Sequence, residues 1–452
     1  MMYKFSKYRE QYRANLKLAI PVMLSQLGHV IVQVADNAMV GSYGGDNPLP
    51  LAAAAFGGSI FFIFFVTTMG LTFSITPLVG ELFAQKRFIS TVKYLQNSVV
   101  LYLVVSLLMS GVMFACVPLM WRMGQPAEVV AMAIPFYKML IYSLLPAMLF
   151  FVFKQFLEGL GNTKIAMYAV VSSNVVNIFF NWLLIGGEWG FPEMGTEGAG
   201  LATLISRYVL LLISIGYLLF GRDLRLYREL FTQRLFSVRI MRKTLMQGFP
   251  IALQIFLEAS SFVVVTFLFG WFGTAAISAN QIGIAMSNCS FMIIVALGSA
   301  TTIRVSHCYG LRDVPQMRLA SHAAWHLALG WNICAAIFFF AMRYRLPMLF
   351  SSNEGVIELG SYILLFVAAY QIPDAVQCIG VGVMRGMQRM KDIPQISFFA
   401  YWVCNIPVGY LCAFHLGMGP LGLHVGFISG FAVAAIWIII KIKRVQCQLE
   451  SV

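Results

Sequence analysis

The chain has 452 residues, of which 60% are hydrophobic and 11% charged, and its mean hydropathy is +0.80. Soluble domains sit nearer half apolar and a quarter charged, so a soluble fold is excluded and a bilayer is the solvent that suits such a surface. The formal net charge of +13 does not indicate nucleic acid, because the basic residues fall between apolar stretches, where they anchor a cytoplasmic face and meet anionic lipid.

The N-terminal segment MMYKFSKYREQYRANLKLA is basic and amphipathic, and without a small-residue cleavage site it predicts no removable signal peptide. Six apolar stretches follow, at roughly 16–41, 51–80, 92–120, 130–157, 165–186 and 198–220. A polar segment at about 221–242 precedes six more, at roughly 240–270, 275–303, 318–342, 356–384, 393–415 and 420–442. Each is near the roughly 20 apolar residues that a spanning helix needs, and the unbroken runs exclude barrel alternation. The predicted fold is an all-α integral membrane protein of twelve transmembrane helices in two six-helix lobes. The lobes are residues 1–220 and 243–452, and 221–242 is a cytoplasmic linker.

Orientation follows from the distribution of bases. The N-terminus carries Lys4, Lys7, Arg9 and Arg13. Alternate loops carry Lys86 and Arg87, Lys164, the linker bases Arg222, Arg225, Arg228, Arg234, Arg239, Arg242 and Lys243, then Arg312 and Arg318, then Arg385, Arg389 and Lys391. The C-terminus carries Lys441, Lys443 and Arg444. Intervening loops hold only Arg122, Arg343 and Arg345, and 186–197 holds Glu188, Glu193 and Glu197 without a base. Both termini are therefore expected in the cytoplasm.

An internal repeat supports the two halves. Pro21 matches Pro250, Gly41 matches Gly270, Gly57 matches Gly283, Thr76 matches Thr302, Pro146 matches Pro373, and Gly159 matches Gly386. Six spans per half put both halves in the same orientation, related by a pseudo-two-fold axis along the membrane normal with a cavity between them.

Three carboxylates fall inside spans, where a charge is costly and marks function. Asp36 lies near the outer end of the first span, with Gln33 and Asn37 beside it. The plainer reading, a helix end facing outer water, competes there. Glu258 lies about 15 residues into the seventh span, roughly 23 Å from its start, and its repeat partner is His29. Asp374 follows Pro373 in the tenth span, with Tyr370 one turn away and Gln371 between them. The proline frees a carbonyl near Ala369, which with the Asp374 carboxylate makes a candidate hard-cation site. The prolines and glycines are duplicated and the acids are not. Lys138 and Arg207 are read as the only bases well inside spans, too few to neutralise all three acids. A proton, a metal cation and a cationic substrate would compete for the same oxygens, which suffices for exchange.

The fifth span carries Asn174, Asn177 and Asn181, read either as interhelical hydrogen bonding or, with Thr203 of the sixth, as a network around Asp36. Gln281 and Asn280 line the second half in the same way. His322 and His326 are read as packing residues, and the eight scattered cysteines as small hydrophobes. No P-loop or nucleophile elbow is present, so no enzymatic activity is expected.

The run VADNAMVGSYG after the Pro21 turn, LEGLGNTK, NxxNxxxNWLLI, EGAGLAT, the Glu258 position and YQIPD stand in a specific order over about residues 12–442. In these the chain resembles the multidrug and toxic compound extrusion (MATE) family, bacterial NorM type. The resemblance implies a central cavity, alternating access, and efflux of small organic cations and drugs by antiport with Na⁺ or H⁺. It implies Asp36 as a proton-taking acid with Asn177, Asn181 and Thr203 around it, where Asn181 departs from the Asp of some relatives. It implies Glu258, Asp374 and Tyr370 as a cation site, with Gln281 nearby. No cofactor is expected beyond the coupling ion, no nucleic-acid partner, a monomer, and the bacterial inner membrane as location. The alternative is a lipid-linked precursor flippase, which favours a groove lined with bases and helices beyond twelve. A non-transporting scaffold has no use for intramembrane acids.

Overall fold

The computed structural model describes residues 2–44, 47–231 and 236–450, with side chains from Tyr8 onward. The side chains of Lys4, Lys7 and Arg234, three of the bases that set the expected orientation, lie outside the described residues. Twelve helices are long and apolar enough to cross a membrane. They are α1 (Tyr8–Tyr43), α2 (Leu49–Ala84), α3 (Phe88–Met120), α4 (Ala127–Gly159), α5 (Lys164–Ile185) and α6 (Gly195–Phe220). The second six are α7 (Val238–Gly270), α8 (Thr274–Gly310), α9 (Val314–Ala341), α10 (Glu354–Gly386), α11 (Met390–His415) and α12 (Pro420–Glu450). Most outrun the apolar stretches: α8 has 37 residues, about 55 Å at 1.5 Å per residue, against a hydrocarbon core of about 30 Å. The backbone gains nothing by unwinding at the hydrocarbon boundary, so the helices continue into the polar flanks.

The chain divides into two compact units, one of Leu24–Ala252 (the N-unit) and one of Met1–Met23 with Leu253–Val452 (the C-unit). The division departs from the sequence halves in two places, each within three residues of a repeat proline. The start of α1 belongs to the C-unit: Arg304 Nη1 donates to Asn15 Oδ1 at 2.9 Å, and Asn15 Nδ2 donates to the Ala320 carbonyl at 3.2 Å. The start of α7 belongs to the N-unit: Ser74 Oγ donates to the Thr244 carbonyl at 3.1 Å, and a Cβ on Gly248 would stand 2.3 Å from the Leu71 carbonyl oxygen.

Within each unit one helix is the central post. In the N-unit it is α4, whose Tyr137, Ile141, Leu144, Met148, Phe150 and Phe156 are buried. In the C-unit it is α10, with Ile363, Leu364, Val367, Ile379 and Val383 buried. The repeat reappears as matching contacts. Thr76 Oγ1 donates to the Gln155 carbonyl at 3.0 Å, and Thr302 Oγ1 to the Gly382 carbonyl at 3.0 Å. A Cβ on Gly159 would meet Val79 at 2.8 Å, and one on Gly386 would meet Val305 at 2.6 Å. Glycine at these two positions lets the post lie against its neighbour's backbone. The short turns also match, with φ of 57° at Lys86 and 56° at Arg312.

The segment 221–242, expected as a cytoplasmic linker, contains a helix, Arg225–Phe231, docked on the N-unit. Tyr227 packs edge-on against Phe88 and Phe156, with ring centroids 5.9 and 6.0 Å away, and Gln96 Nε2 donates to the Phe231 carbonyl at 2.6 Å. Burial pushes the Tyr227 phenol up to about 12. Every fourth residue here is apolar enough to pack, a periodicity that the surrounding arginines mask in the sequence.

Candidate functional site

Each unit holds one polar centre built around intramembrane carboxylates. In the N-unit, His29, Gln33 and Asn37 stand four residues apart on α1 and are exposed, with half-buried Asp36 at the edge of the same stripe. A polar stripe on a spanning helix is costly against lipid, so it belongs to a watered face. From α5, Asn181 donates to Asp36 Oδ1, and the same amide nitrogen lies 3.1 Å from Asn177 Oδ1. Asn177 and Asn181 are both buried, and Asn177 Nδ2 and Asn181 Oδ1 have no protein partner. Asn174, half-buried, lies over Gly28, where a Cβ would stand 2.6 Å from its amide nitrogen. Thr203 does not join this network by a hydrogen bond: its hydroxyl donates to the Ala199 carbonyl in its own helix at 3.0 Å. A threonine in a helix satisfies itself this way whenever no stronger acceptor is in reach. The glycines of EGAGLAT serve packing: a Cβ on Gly198 would meet the Leu184 carbonyl oxygen at 2.6 Å, and one on Gly200 would meet Met139 at 2.8 Å.

In the C-unit, half-buried Glu258 of α7 accepts from Tyr401 at 3.4 Å on one oxygen and from Gln254 Nε2 at 3.4 Å on the other. Both contacts are long for a carboxylate and leave its lone pairs weakly used. Arg385 Nη2 donates to Gln254 Oε1 at 2.8 Å, so Gln254 stands between a guanidinium and Glu258. Asp374 of α10 is 3% exposed, within electrostatic reach of Glu258, and its Oδ1 has no hydrogen-bond partner. Tyr370 is buried, with its ring nearly parallel to that of His424 and the centroids 6.5 Å apart. Gln371 is buried with Nε2 unpartnered, while its carbonyl accepts from Asn332 Nδ2 at 2.5 Å. Both side-chain polar atoms of buried Asn280 are unpartnered, and exposed Gln281 lines a cleft of about 270 Å³ with Phe262, Val263, Thr266 and Phe267. Buried polar atoms without protein partners call for water or a guest.

The expectation that only Lys138 and Arg207 are bases inside spans is corrected. Lys138 is exposed, whereas Lys154 is buried in α4 with Glu158, Nζ to Oε1 3.9 Å, and Arg385 lies within α10 and not in a loop. Arg385 directly precedes the motif glycine Gly386, up to which α10 stays helical, whereas Lys154 stands five residues before Gly159, inside the fourth expected span. Glu158 is thus a buried acid hidden inside LEGLGNTK. Gln254, Asn332 and Tyr401 also escape the sequence reading. Their one signal is a polar atom in an apolar run, which many residues share. His326 Nδ1 meets the Tyr12 hydroxyl at 2.9 Å, a packing contact at the start of α1.

The MatE family model matches residues 21–183 and again 250–411, each match beginning at a repeat proline. The chain is 32% identical to "Multidrug resistance protein MdtK" of Pectobacterium atrosepticum, over 98% of this chain and 97% of that one. It is 29% identical to "Multidrug resistance protein NorM" of Photobacterium profundum, over 98% of each. A solved structure described as the outward-facing conformation of a multidrug resistance MATE family transporter shares the fold with a TM-score of 0.89. It is 21% identical and covers 98% of this chain and 97% of its own. With twelve spanning helices, a duplicated family match and full-length relatives, this chain belongs to the MatE family of membrane transporters.

Proposed function

We propose that the protein exports small, mostly cationic organic compounds in exchange for Na⁺ or H⁺, with residues 1–220 and 243–452 acting as two lobes joined by 221–242 that alternate access. The observation that carries this reading is Asp374: a carboxyl group 3% exposed inside a spanning helix, one oxygen unpartnered, with Glu258 in electrostatic reach. A buried and a half-buried acid that share so little hydrogen bonding can be neutralised by a cation or a proton, and a cationic substrate competes for the same oxygens. Gln254 and Tyr401, which donate to Glu258, are the neutral partners of the C-unit site, with Tyr370, Gln371 and Gln281 assigned to the same centre. Asp36 with Asn174, Asn177 and Asn181 is the second coupling centre, with Thr203, Gln33 and Asn37 on its rim. Loaded and empty states differ in charge and so prefer different conformations. Pro21 and Pro250, where α1 and α7 pass from one unit to the other, are the hinges that such a change requires. The placement of bases along the sequence favours both termini in the cytoplasm, and the bacterial relatives favour the inner membrane as location. The relatives' names supply the drug-resistance reading.

Expression in bacterial cells stripped of their own pumps tests it. Steady-state accumulation of a fluorescent lipophilic cation should fall several-fold with the wild-type chain and return to the vector level with Asp374→Asn. Equal accumulation with and without the chain, at verified membrane levels, would overturn the reading.

A further inference from the structure

The N-unit also holds three basic side chains, Arg207, Lys154 and His29, of which Arg207 lies in electrostatic reach of Asp36. Arg207 of α6 has its guanidinium carbon 4.8 Å from the ring centroids of both Phe61 and Phe65, and Nη1 donates to Ser143 Oγ at 2.6 Å. That is its single hydrogen bond among the described residues, and no carboxylate lies within ion-pair distance of it. Lys154 of α4 has Nζ 5.6 Å from the Phe151 centroid and meets Glu158 only at 3.9 Å, where Oε1 accepts no hydrogen bond. Phe65 meets Phe151 edge-on at 6.0 Å, so one aromatic ladder carries both cations. His29, exposed on α1 where the other half carries Glu258, lies in electrostatic reach of both. Two acids, Asp36 and Glu158, offset Arg207 and Lys154 while ionised. Once Asp36 is neutralised by its coupling ion, a positive charge is left over at a half-buried site. A guanidinium over two aromatic rings and using one of five donors can take a planar oxyanion on the remaining ones.

We propose that Arg207, with Lys154 and His29 beside it, forms an oxyanion-accepting subsite of the N-unit that takes the carboxylate of an amphiphilic substrate. This rests on the export reading above and specifies a substrate class for it. The subsite makes carboxylate-bearing compounds better cargo than their esters, and ties their binding to neutralisation of Asp36.

The test uses purified full-length protein in liposomes and a matched pair of fluorescent amines, one with a free carboxylate and one its methyl ester. Wild type should show an acid-to-ester ratio of kcat/KM of about ten, the size of one charge-assisted contact. Arg207→Gln should bring the ratio near one, and Arg207→Lys should recover only part of it. His29→Gln, at an exposed position that the fold tolerates, should lower the ratio about threefold and serves if Arg207→Gln does not assemble. Export of both compounds with a ratio unchanged by Arg207→Gln and by His29→Gln overturns the subsite and leaves Arg207 a packing residue. Export of neither compound by wild type overturns the export reading instead.

Discussion

Asp36 and Asn181 show how a few side chains set the chemistry of a site in lipid. The amide of Asn181 donates to Asp36 and also meets Asn177, so a neutral group holds the carboxylate in place without cancelling its charge. Asn181→Ala should lower export by about tenfold, because a charge-assisted donor is worth roughly 1.5–3 kcal/mol. Detergent-solubilised thermal unfolding should show the variant folded. Wild-type export from Asn181→Ala would mean that the bond is structural only. At the second centre, Tyr401→Phe should cost little, about threefold at most, since its hydroxyl stands 3.4 Å from Glu258. Glu258→Gln should abolish coupling. The acids were legible in the sequence because charge inside an apolar run is expensive wherever it occurs. Arg385 was not, because whether a base beside a glycine belongs to a helix or a loop depends on where the helix stops, and the burial of Lys154 beside Glu158 is a matter of packing that an apolar run does not record. The inward turn of Thr203 onto Ala199 was not legible either, since a rotamer leaves no mark on spacing.

At the scale of elements, the repeated glycines have a mechanical meaning. A Cβ on Gly386 would stand 2.6 Å from Val305 Cβ and 3.0 Å from the Thr302 carbonyl oxygen. Gly386→Ala should therefore lower the melting temperature by several degrees, the consequence of about 1–3 kcal/mol of overpacking. Gly159→Ala should do the same through Val79. Gly111→Ala is the matched control: nothing lies within 4 Å of its Cβ, and the change should be neutral or stabilising by about 0.5–1 kcal/mol. Equal melting temperatures for all three would contradict the packing account. The positions of the twelve helices were readable from hydropathy, because length and apolarity answer to bilayer thickness. Their ends were not, because helices extend into water at no cost that hydropathy records. The helix Arg225–Phe231 was hidden for a related reason: among its bases only Tyr227 is buried, with buried Leu224 just before it.

For the whole molecule, the informative feature is that the compact units are not the sequence halves. α1 changes unit between Met23 and Leu24, and α7 between Ala252 and Leu253, each just past a proline that removes a helical hydrogen bond. The duplication was legible from Pro21 and Pro250, but their role at unit boundaries depends on contacts far apart in sequence. Replacing both prolines by alanine should stiffen the passage and slow export several-fold while raising thermal stability, as read by stopped-flow efflux and unfolding. The central claim is that carboxylates in the interior exchange a coupling ion for cargo. Its most direct test is export of a fluorescent organic cation by purified protein in liposomes under an imposed Na⁺ gradient and, separately, an imposed pH gradient. The prediction is that at least one gradient drives export at least tenfold above the no-gradient rate, and that Asp36→Asn, Glu258→Gln and Asp374→Asn each collapse that stimulation. Export that ignores both gradients, or that survives all three neutralisations unchanged, would contradict it.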